Sequence, residues 1–175
     1  MPLYMDVHYR VEGLTAEAVA KAHGQDLATQ SKHKVRFVDY WFDEETGRVF
    51  CLSEAPNAAA PEHCHREAHG LLADEITQVR EYDAERSDVT PNAALCMDTH
   101  FRVEGIRPEA IAGAIQQHTK VGQKRGVRWL KAWYDEGSGR LFCLSESPNT
   151  DAHVAVHREA AGLLVDEVNL VRQGT

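Results

Sequence analysis

The alternation of apolar and polar positions over the first eighty residues predicts six elements in the order strand, helix, strand, strand, helix, strand. Residues Tyr4–Arg10 alternate as a half-buried strand does, and Thr15 is suited to be the N-cap of the first helix. The predicted ranges are Tyr4–Arg10, a helix from Thr15 to about Lys32, Val35–Phe42, Arg48–Glu54, a helix from about Ala59 to His69 ended by Gly70, and Asp74–Arg80. This is the βαββαβ order of a ferredoxin-like unit.

The same pattern is repeated in the second half of the sequence. When Met97 is placed on Met5, the segment Met5–Arg80 aligns with Met97–Arg172 without a gap, and MDVHYRVEG matches MDTHFRVEG. The period is too long and the copies too few for a solenoid. The sequence therefore predicts two tandem units, residues 1–81 and residues 94–175, joined by a polar linker over residues 82–93.

Aromatic residues predict how the two units associate. In a ferredoxin-like unit both helices cover one face of the sheet, and we expect the other face to carry Phe37 and Trp41 in the first copy and Trp129 and Trp133 in the second. Such side chains are not left in water. We therefore predict an α+β fold in which the two sheets pack face to face as an intramolecular dimeric α+β barrel. This internal pseudo-dimer would be monomeric or weakly homo-oligomeric.

Composition narrows the function. A net charge of −8 argues against a nucleic-acid partner. No apolar run approaches the ~20 residues of a membrane span, and the N-terminus lacks the apolar core of a signal peptide, so we expect a cytoplasmic protein without a membrane partner. The four cysteines have no CxxC spacing, which excludes a zinc ribbon or a thioredoxin-type motif.

The predicted helices of the first copy carry candidate metal ligands. His65 and His69 are four residues apart, so both imidazoles lie on one helix face. His23 and Asp26 lie one turn apart on the neighbouring helix, either as a hydrogen-bonded core pair or as half of a metal site. Three imidazoles and a carboxylate suit a borderline divalent ion, and the sequence predicts a site for Ni(II), Zn(II) or Cu(II) at these four residues.

The second copy offers fewer donors at these places. His118 and His157 are present, but Ile115 stands where the first copy has His23, and Ala161 stands where it has His69. We therefore expect the second copy to bind metal weakly or not at all.

A second constellation lies on the first strand of each copy. Asp6, His8 and Arg10 share one face of this strand. If that face lines the interior, the three residues form a polar pocket that could bind a small acid or a second ion. If it lies at the solvent-exposed rim of the sheet, they have no such role. The sequence leaves open whether His8 reaches the helix-side cluster or a separate cavity, and whether Cys51 is an apolar core residue or a thiolate ligand. The residues of this second candidate site or pocket are Asp6, His8, Arg10, Cys51, His100, His118 and His157.

Catalytic motifs are not evident. HREAH has the histidine spacing of HExxH, but Arg66 stands where the metalloprotease glutamate belongs. There is no glycine-rich phosphate loop and no GxSxG. The residues favour a binding protein over an enzyme. The alternative is an oxygenase- or isomerase-like enzyme that uses a cavity between the sheets, with His8, Arg10, His100 and Arg102 as working groups.

Four motifs together resemble a known family. At MDVH, AHGQDLA, GRVFCLSEAPN and HREAHGLLADEI the sequence is similar to small nickel-responsive, nickel-binding proteins with a ferredoxin-like fold and dimeric assembly. The first copy matches all four motifs, whereas the second departs at Ile115, His118 and Ala161. The resemblance implies nickel as the metal, a role as buffer or sensor, and no established catalytic reaction.

Overall fold

The computed structural model describes residues 1–83, 88–160 and 164–174, so residues 84–87 of the predicted linker lie outside the described ranges. The first repeat consists of β1 (Leu3–His8), α1 (Ala16–Thr29), β2 (Arg36–Asp43), β3 (Arg48–Glu54), α2 (Ala59–Ala68) and β4 (Glu75–Asp83). The second consists of β5 (Leu95–His100), α3 (Pro108–Arg125), β6 (Arg128–Tyr134), β7 (Leu141–Glu146), α4 (Thr150–Ala160) and β8 (Glu167–Gln173). The βαββαβ order is confirmed in both repeats.

Helix α1 begins as predicted and ends earlier. Thr15 has extended backbone angles, and its side-chain oxygen accepts a hydrogen bond from the Ala18 N–H at 3.1 Å, which satisfies one of the free donors of the first turn. After Thr29 the chain tightens into a 3₁₀ turn, Gln30–His33, and Lys34 adopts a left-handed conformation with φ 58°. This turn leads the chain into β2.

The strand pairing has the ferredoxin-like arrangement in each unit. In the first, β1 lies between β3 and β4, and β2 pairs with the other edge of β3, all antiparallel. In the second, β5 lies between β7 and β8, and β6 pairs with β7. The last residues of β4 pair with β6, and those of β8 pair with β2. The strand order is thereby closed, β1-β3-β2-β8-β5-β7-β6-β4, and the predicted class of α+β barrel with two tandem units is confirmed.

The prediction that Phe37 and Trp41 share a sheet face is wrong. The register between β2 and β3 shifts between Phe37 and Asp39, and this irregularity turns Phe37 toward the helices. Its ring packs in a core cluster that includes Cys64 of α2 and lies 5.2 Å from the His65 ring, centroid to centroid. The second unit repeats the shift at Trp129, which therefore also faces its helices and not the face of Trp133.

Strand β1 is buried on both faces, not half-buried as the alternation predicted. Met5 and Val7 are buried, and so are Asp6 and His8 between them. Asp6 is 0% exposed, although it carries a carboxyl group. A buried carboxylate requires partners, and the partners of Asp6 are His65 on α2 and His8 on the same strand. Within the described ranges, no helix has the length and apolar character needed to span a membrane.

Candidate metal centre

Asp6 and His8 project from β1 toward the helices of the first unit. They are two residues apart on a strand, so both side chains lie on the same face. His8 Nε2 is 3.4 Å from Asp6 Oδ1, and the His8 ring lies 5.4 Å from the His65 ring, centroid to centroid. His8 therefore belongs to the helix-side cluster, which answers the question that the sequence left open.

His65 connects the two carboxylates of the first unit. Its Nδ1 donates to Asp26 Oδ1 at 2.9 Å, and its Nε2 donates to Asp6 Oδ2 at 3.2 Å. The imidazole is almost completely buried. One side chain of α2 thus joins the end of α1 to the middle of β1.

His69 completes this arrangement from just beyond the end of α2. The Leu71 N–H donates to His69 Nδ1 at 3.1 Å, which leaves the ring proton on Nε2. That nitrogen lies 3.1 Å from Asp26 Oδ1. Gly70, predicted to end the helix, has φ +78°, and its N–H bonds the His65 carbonyl, so the chain can turn here while the His69 side chain points back to Asp26.

Burial and mutual contact shift the pKa values of Asp6, Asp26 and His65. Burial alone would raise the pKa of Asp6 and of Asp26, but the charge and hydrogen bonds of His65 hold both below the usual value of 3.8. Burial alone would lower the pKa of His65, yet Asp6 and Asp26 raise it to about 10. At neutral pH the cluster therefore consists of two carboxylates and an imidazolium between them.

His23 is placed apart from the other predicted ligands. Its ring lies 4.4 Å from the Tyr40 ring, centroid to centroid, and burial lowers its pKa. It lines the same cavity as Asp26, His65 and His69, but its nitrogens are outside the groups of donor atoms that lie within mutual reach. The structure brings together three of the four predicted ligands and places His23 on the cavity wall.

The donor set of the first unit fits a borderline divalent ion. Ligand atoms of Asp26, His65 and His69 lie within 4.8 Å of one another. A second set that shares His65 joins Asp6, His8 and Cys51 in the same way. Among the described residues, Asp6 Oδ1 is buried without a hydrogen bond. Imidazole, carboxylate and a neighbouring sulfur are the ligand types that Ni, Zn and Cu accept.

The second unit has a different set at the corresponding place. Asp98 and His100 of β5 repeat Asp6 and His8, and His157 of α4 repeats His65. His100 Nε2 is 3.1 Å from Asp98 Oδ1, and His157 Nε2 is 3.3 Å from Asp98 Oδ2. Ala161, the counterpart of His69, lies outside the described residues.

His118 and Ile115 occupy the places of Asp26 and His23 on α3. His118 is buried with its ring 4.5 Å from the His157 ring, centroid to centroid, and burial lowers its pKa to about 4. Ile115 packs in the apolar core of the unit. The carboxylate that accepts from His65 in the first unit is thus replaced by a second imidazole.

His153 is a member of the second-unit cluster that the sequence did not predict. Its Nε2 donates to Asp98 Oδ2 at 2.6 Å, and it is 0% exposed. The repeat alignment conceals it, because the first copy has Pro61 at this position. Its spacing of four residues from His157 is the same signal that identified the pair of His65 and His69, and it would have revealed the residue.

Arg10 and Arg102, named for the enzyme alternative, are exposed. Neither lines the cavity beside His8 or the cavity beside His100. An enzyme at either place would have to bind its substrate without these guanidinium groups.

Comparison with known proteins identifies a family that matches both repeats. A family model described as nickel responsive protein SCO4226-like matches residues 4–79 and 97–171. The crystal structure of SCO4226 from Streptomyces coelicolor A3(2) is 40% identical, covers 44% of this chain and 94% of its own, and has a TM-score of 0.42. No curated protein is significantly similar to the chain.

Two further solved structures match nearly the whole chain at low identity. A candidate chlorite dismutase, TA0507, is 14% identical, with 99% of this chain and 96% of that one covered and a TM-score of 0.57. A candidate monooxygenase from Lactobacillus acidophilus NCFM is 9% identical, with 99% and 94% covered and a TM-score of 0.53. At these identities the likeness concerns the fold alone.

Proposed function

Because the chain belongs to the SCO4226-like family of nickel-responsive proteins, we propose that it binds a divalent metal ion, nickel in the first place, at the cluster of its first unit. The proposed ligands are Asp26, His65 and His69, with Asp6, His8 and Cys51 as further donors around His65 and His23 on the cavity wall. The protein would act as a metal buffer or sensor.

One observation carries this proposal. His65 presents a nitrogen to each of two buried carboxylates on different elements, and His69 adds a third nitrogen at one of them. Pairing one imidazole with two fully buried acids for stability alone is expensive, because the desolvation of buried charges offsets most of their attraction. A divalent ion coordinated by the same nitrogen and oxygen atoms would balance the negative charge of the two carboxylates.

The buffer or sensor role is favoured by the environment of the donors. The cavity beside them is lined mainly by apolar side chains, among them Leu14, Val19 and Val49. Its polar groups are the proposed donors together with His23 and Tyr40. A bound ion would therefore be held by the cluster with few polar groups left to orient an organic substrate.

Isothermal titration of untagged, chelator-stripped protein with Ni(II) tests the proposal. We expect the unaltered protein to bind Ni(II) with micromolar or tighter affinity. The His65→Ala/His69→Ala variant is expected to lose one bound ion or to bind it at least tenfold more weakly. His63→Ala is the matched control, because His63 is an exposed histidine on the same helix and outside the cluster. Undiminished binding by the double variant, or no binding by the unaltered protein, overturns the proposal.

A further inference from the structure

Three imidazoles of the second unit converge on one buried carboxylate. The Nε2 atoms of His100, His153 and His157 lie 3.1, 2.6 and 3.3 Å from the oxygens of Asp98. All four side chains are at most 3% exposed. In the first unit, among the residues that the structure describes, Asp6 is approached by two imidazoles, those of His8 and His65.

The opposite nitrogens of these rings are held by other groups. His100 Nδ1 donates to the Leu164 carbonyl at 3.0 Å, and His157 Nδ1 donates to the His153 carbonyl at 3.1 Å. A carbonyl can only accept, so the single proton of each neutral ring is placed on Nδ1. His153 Nδ1 is 2.7 Å from the hydroxyl oxygen of the buried Ser145. Bonds of this kind orient histidine ligands in metal sites.

Hydrogen bonding alone leaves this cluster incomplete. With its Nδ1 proton on the His153 carbonyl, the His157 ring turns its Nε2 lone pair toward Asp98 Oδ2, which is also an acceptor. Two acceptors at 3.3 Å repel unless a cation lies between them. A divalent ion held by Asp98, His153 and His157, whose ligand atoms lie within 4.8 Å of one another, supplies that cation, and His100 lies beside it on the other carboxylate oxygen.

His118 provides a second, independent observation. Its Nδ1 donates to the Ala114 carbonyl of its own helix. Its Nε2 is buried and, within the described part of the chain, has no hydrogen-bond partner. His118 lines a cavity together with His100, His157 and Cys143. An orphaned imidazole nitrogen at the wall of this cavity is a further donor beside the cluster.

The two units arrange their helix histidines differently. The first uses His65 and His69, and the second uses His153 and His157, where His157 is the counterpart of His65. The partner imidazole has thus moved from one helical turn after the shared residue to one turn before it. The loss of a histidine at Ala161 is therefore offset by the gain of His153.

We propose that the second unit holds its own divalent-metal site, formed by Asp98, His153 and His157, with His100 on the other oxygen of Asp98. The site does not depend on the first-unit cluster. With two imidazoles and one carboxylate it would take a borderline ion such as Ni(II) or Zn(II). The chain would then bind two ions, whereas the sequence alone predicted a weak or absent second site.

Counting the ions per chain tests this proposal. Native mass spectrometry and Ni(II) titration of the unaltered, chelator-stripped protein are expected to give two ions. The His65→Ala/His69→Ala variant, which leaves the second unit untouched, is expected to retain one. Adding His153→Gln to that variant is expected to remove the remaining ion or weaken it at least tenfold. Circular dichroism of the metal-free variants checks folding, and His157→Gln serves as the second variant.

The outcomes separate the two sites. If the first-unit double variant binds no ion, the second site is refuted while the first stands. If that variant binds as many ions per chain as the unaltered protein, and His153→Gln alone abolishes binding, the second site stands and the first-unit proposal fails. If His153→Gln and His157→Gln, both folded, leave two ions bound, the ligand assignment of the second site is refuted.

Discussion

His65 Nδ1 on α2 lies 2.9 Å from Asp26 Oδ1 on α1, in an interior where both side chains are almost inaccessible to solvent. The other nitrogen of the same ring faces Asp6 on β1. A single imidazole therefore links both helices to the sheet of the first unit. The proposed metal site and the stability of the metal-free fold depend on the same residue.

Replacing His65 by Asn is expected to destabilise the metal-free protein by about 3–5 kcal/mol, because the change leaves two buried carboxylates without their cationic partner. Urea unfolding of the chelator-stripped proteins at neutral pH measures the difference. His63→Asn, an exposed change two residues earlier on α2, is expected to stay within about 0.5 kcal/mol. Equal effects of the two changes would show that the His65 contacts carry no stability.

The stability that His65 contributes is expected to depend on pH. Its folded-state pKa is raised from 6.5 to about 10 by Asp6 and Asp26, so the contribution is complete below about pH 6.5 and is lost as the pH rises toward 10. The charged or titratable groups facing the ring are Asp6, His8 and Cys51 from the sheet, Asp26 from α1, and His69.

The two carboxylates contribute a pH dependence of the opposite direction, at acid pH. The pKa values of Asp6 and Asp26 are lowered from 3.8, so their contribution is present above that value and is lost as the pH falls below it. The gap in unfolding free energy between the unaltered protein and His65→Asn should thus be widest between about pH 4 and 6.5 and narrow by pH 10. A gap that widens toward alkaline pH would contradict this charge assignment.

Much of this fold follows from local pattern. The six elements of each copy, the N-cap at Thr15 and the turn at Gly70 are decided by side-chain alternation, hydrogen-bonding side chains and glycine, which act over a few residues. The face of Phe37 could not be predicted, because the register shift in β2 depends on pairing with β3 and not on the residues of β2 alone.

The candidate site was predictable only in part, and for a related reason. The pair of His65 and His69 is visible as a helical spacing, and Asp26 as a residue on the adjacent helix. That His8 and Asp6 face the same cluster depends on which side of the sheet the helices cover. His153 was concealed by comparing the two copies position by position, which finds what they share and not what one copy has gained.

A glycine at the hairpin of the first unit is expected to resist substitution. Gly47 has φ +78°, and a Cβ atom there would lie 2.7 Å from the carbonyl oxygen of Val11, a backbone atom that cannot easily withdraw. The Val11 N–H also bonds the Gly47 carbonyl at 2.8 Å, so the hairpin supports the loop that follows His8.

Gly47→Ala should therefore lower the unfolding free energy by about 1–3 kcal/mol. Gly24→Ala, at an open position inside α1, should raise it by about 0.5–1 kcal/mol. Denaturant unfolding of both variants gives the comparison. A neutral Gly47→Ala variant would mean that the loop moves freely away from the hairpin.

Nickel binding to the first unit is expected to release protons. In the metal-free cluster both nitrogens of His65 face carboxylate oxygens, and Nε2 of His69 faces Asp26, so each proposed ligand nitrogen carries a proton that a metal ion must replace. Affinity should therefore fall as the pH is lowered, and titrations in buffers of different ionisation enthalpy should show at least one proton released per ion. The His153→Gln variant isolates this step, because it is expected to leave only the first-unit ion. Binding with no proton release in that variant would mean that the ion is held by groups other than these imidazoles.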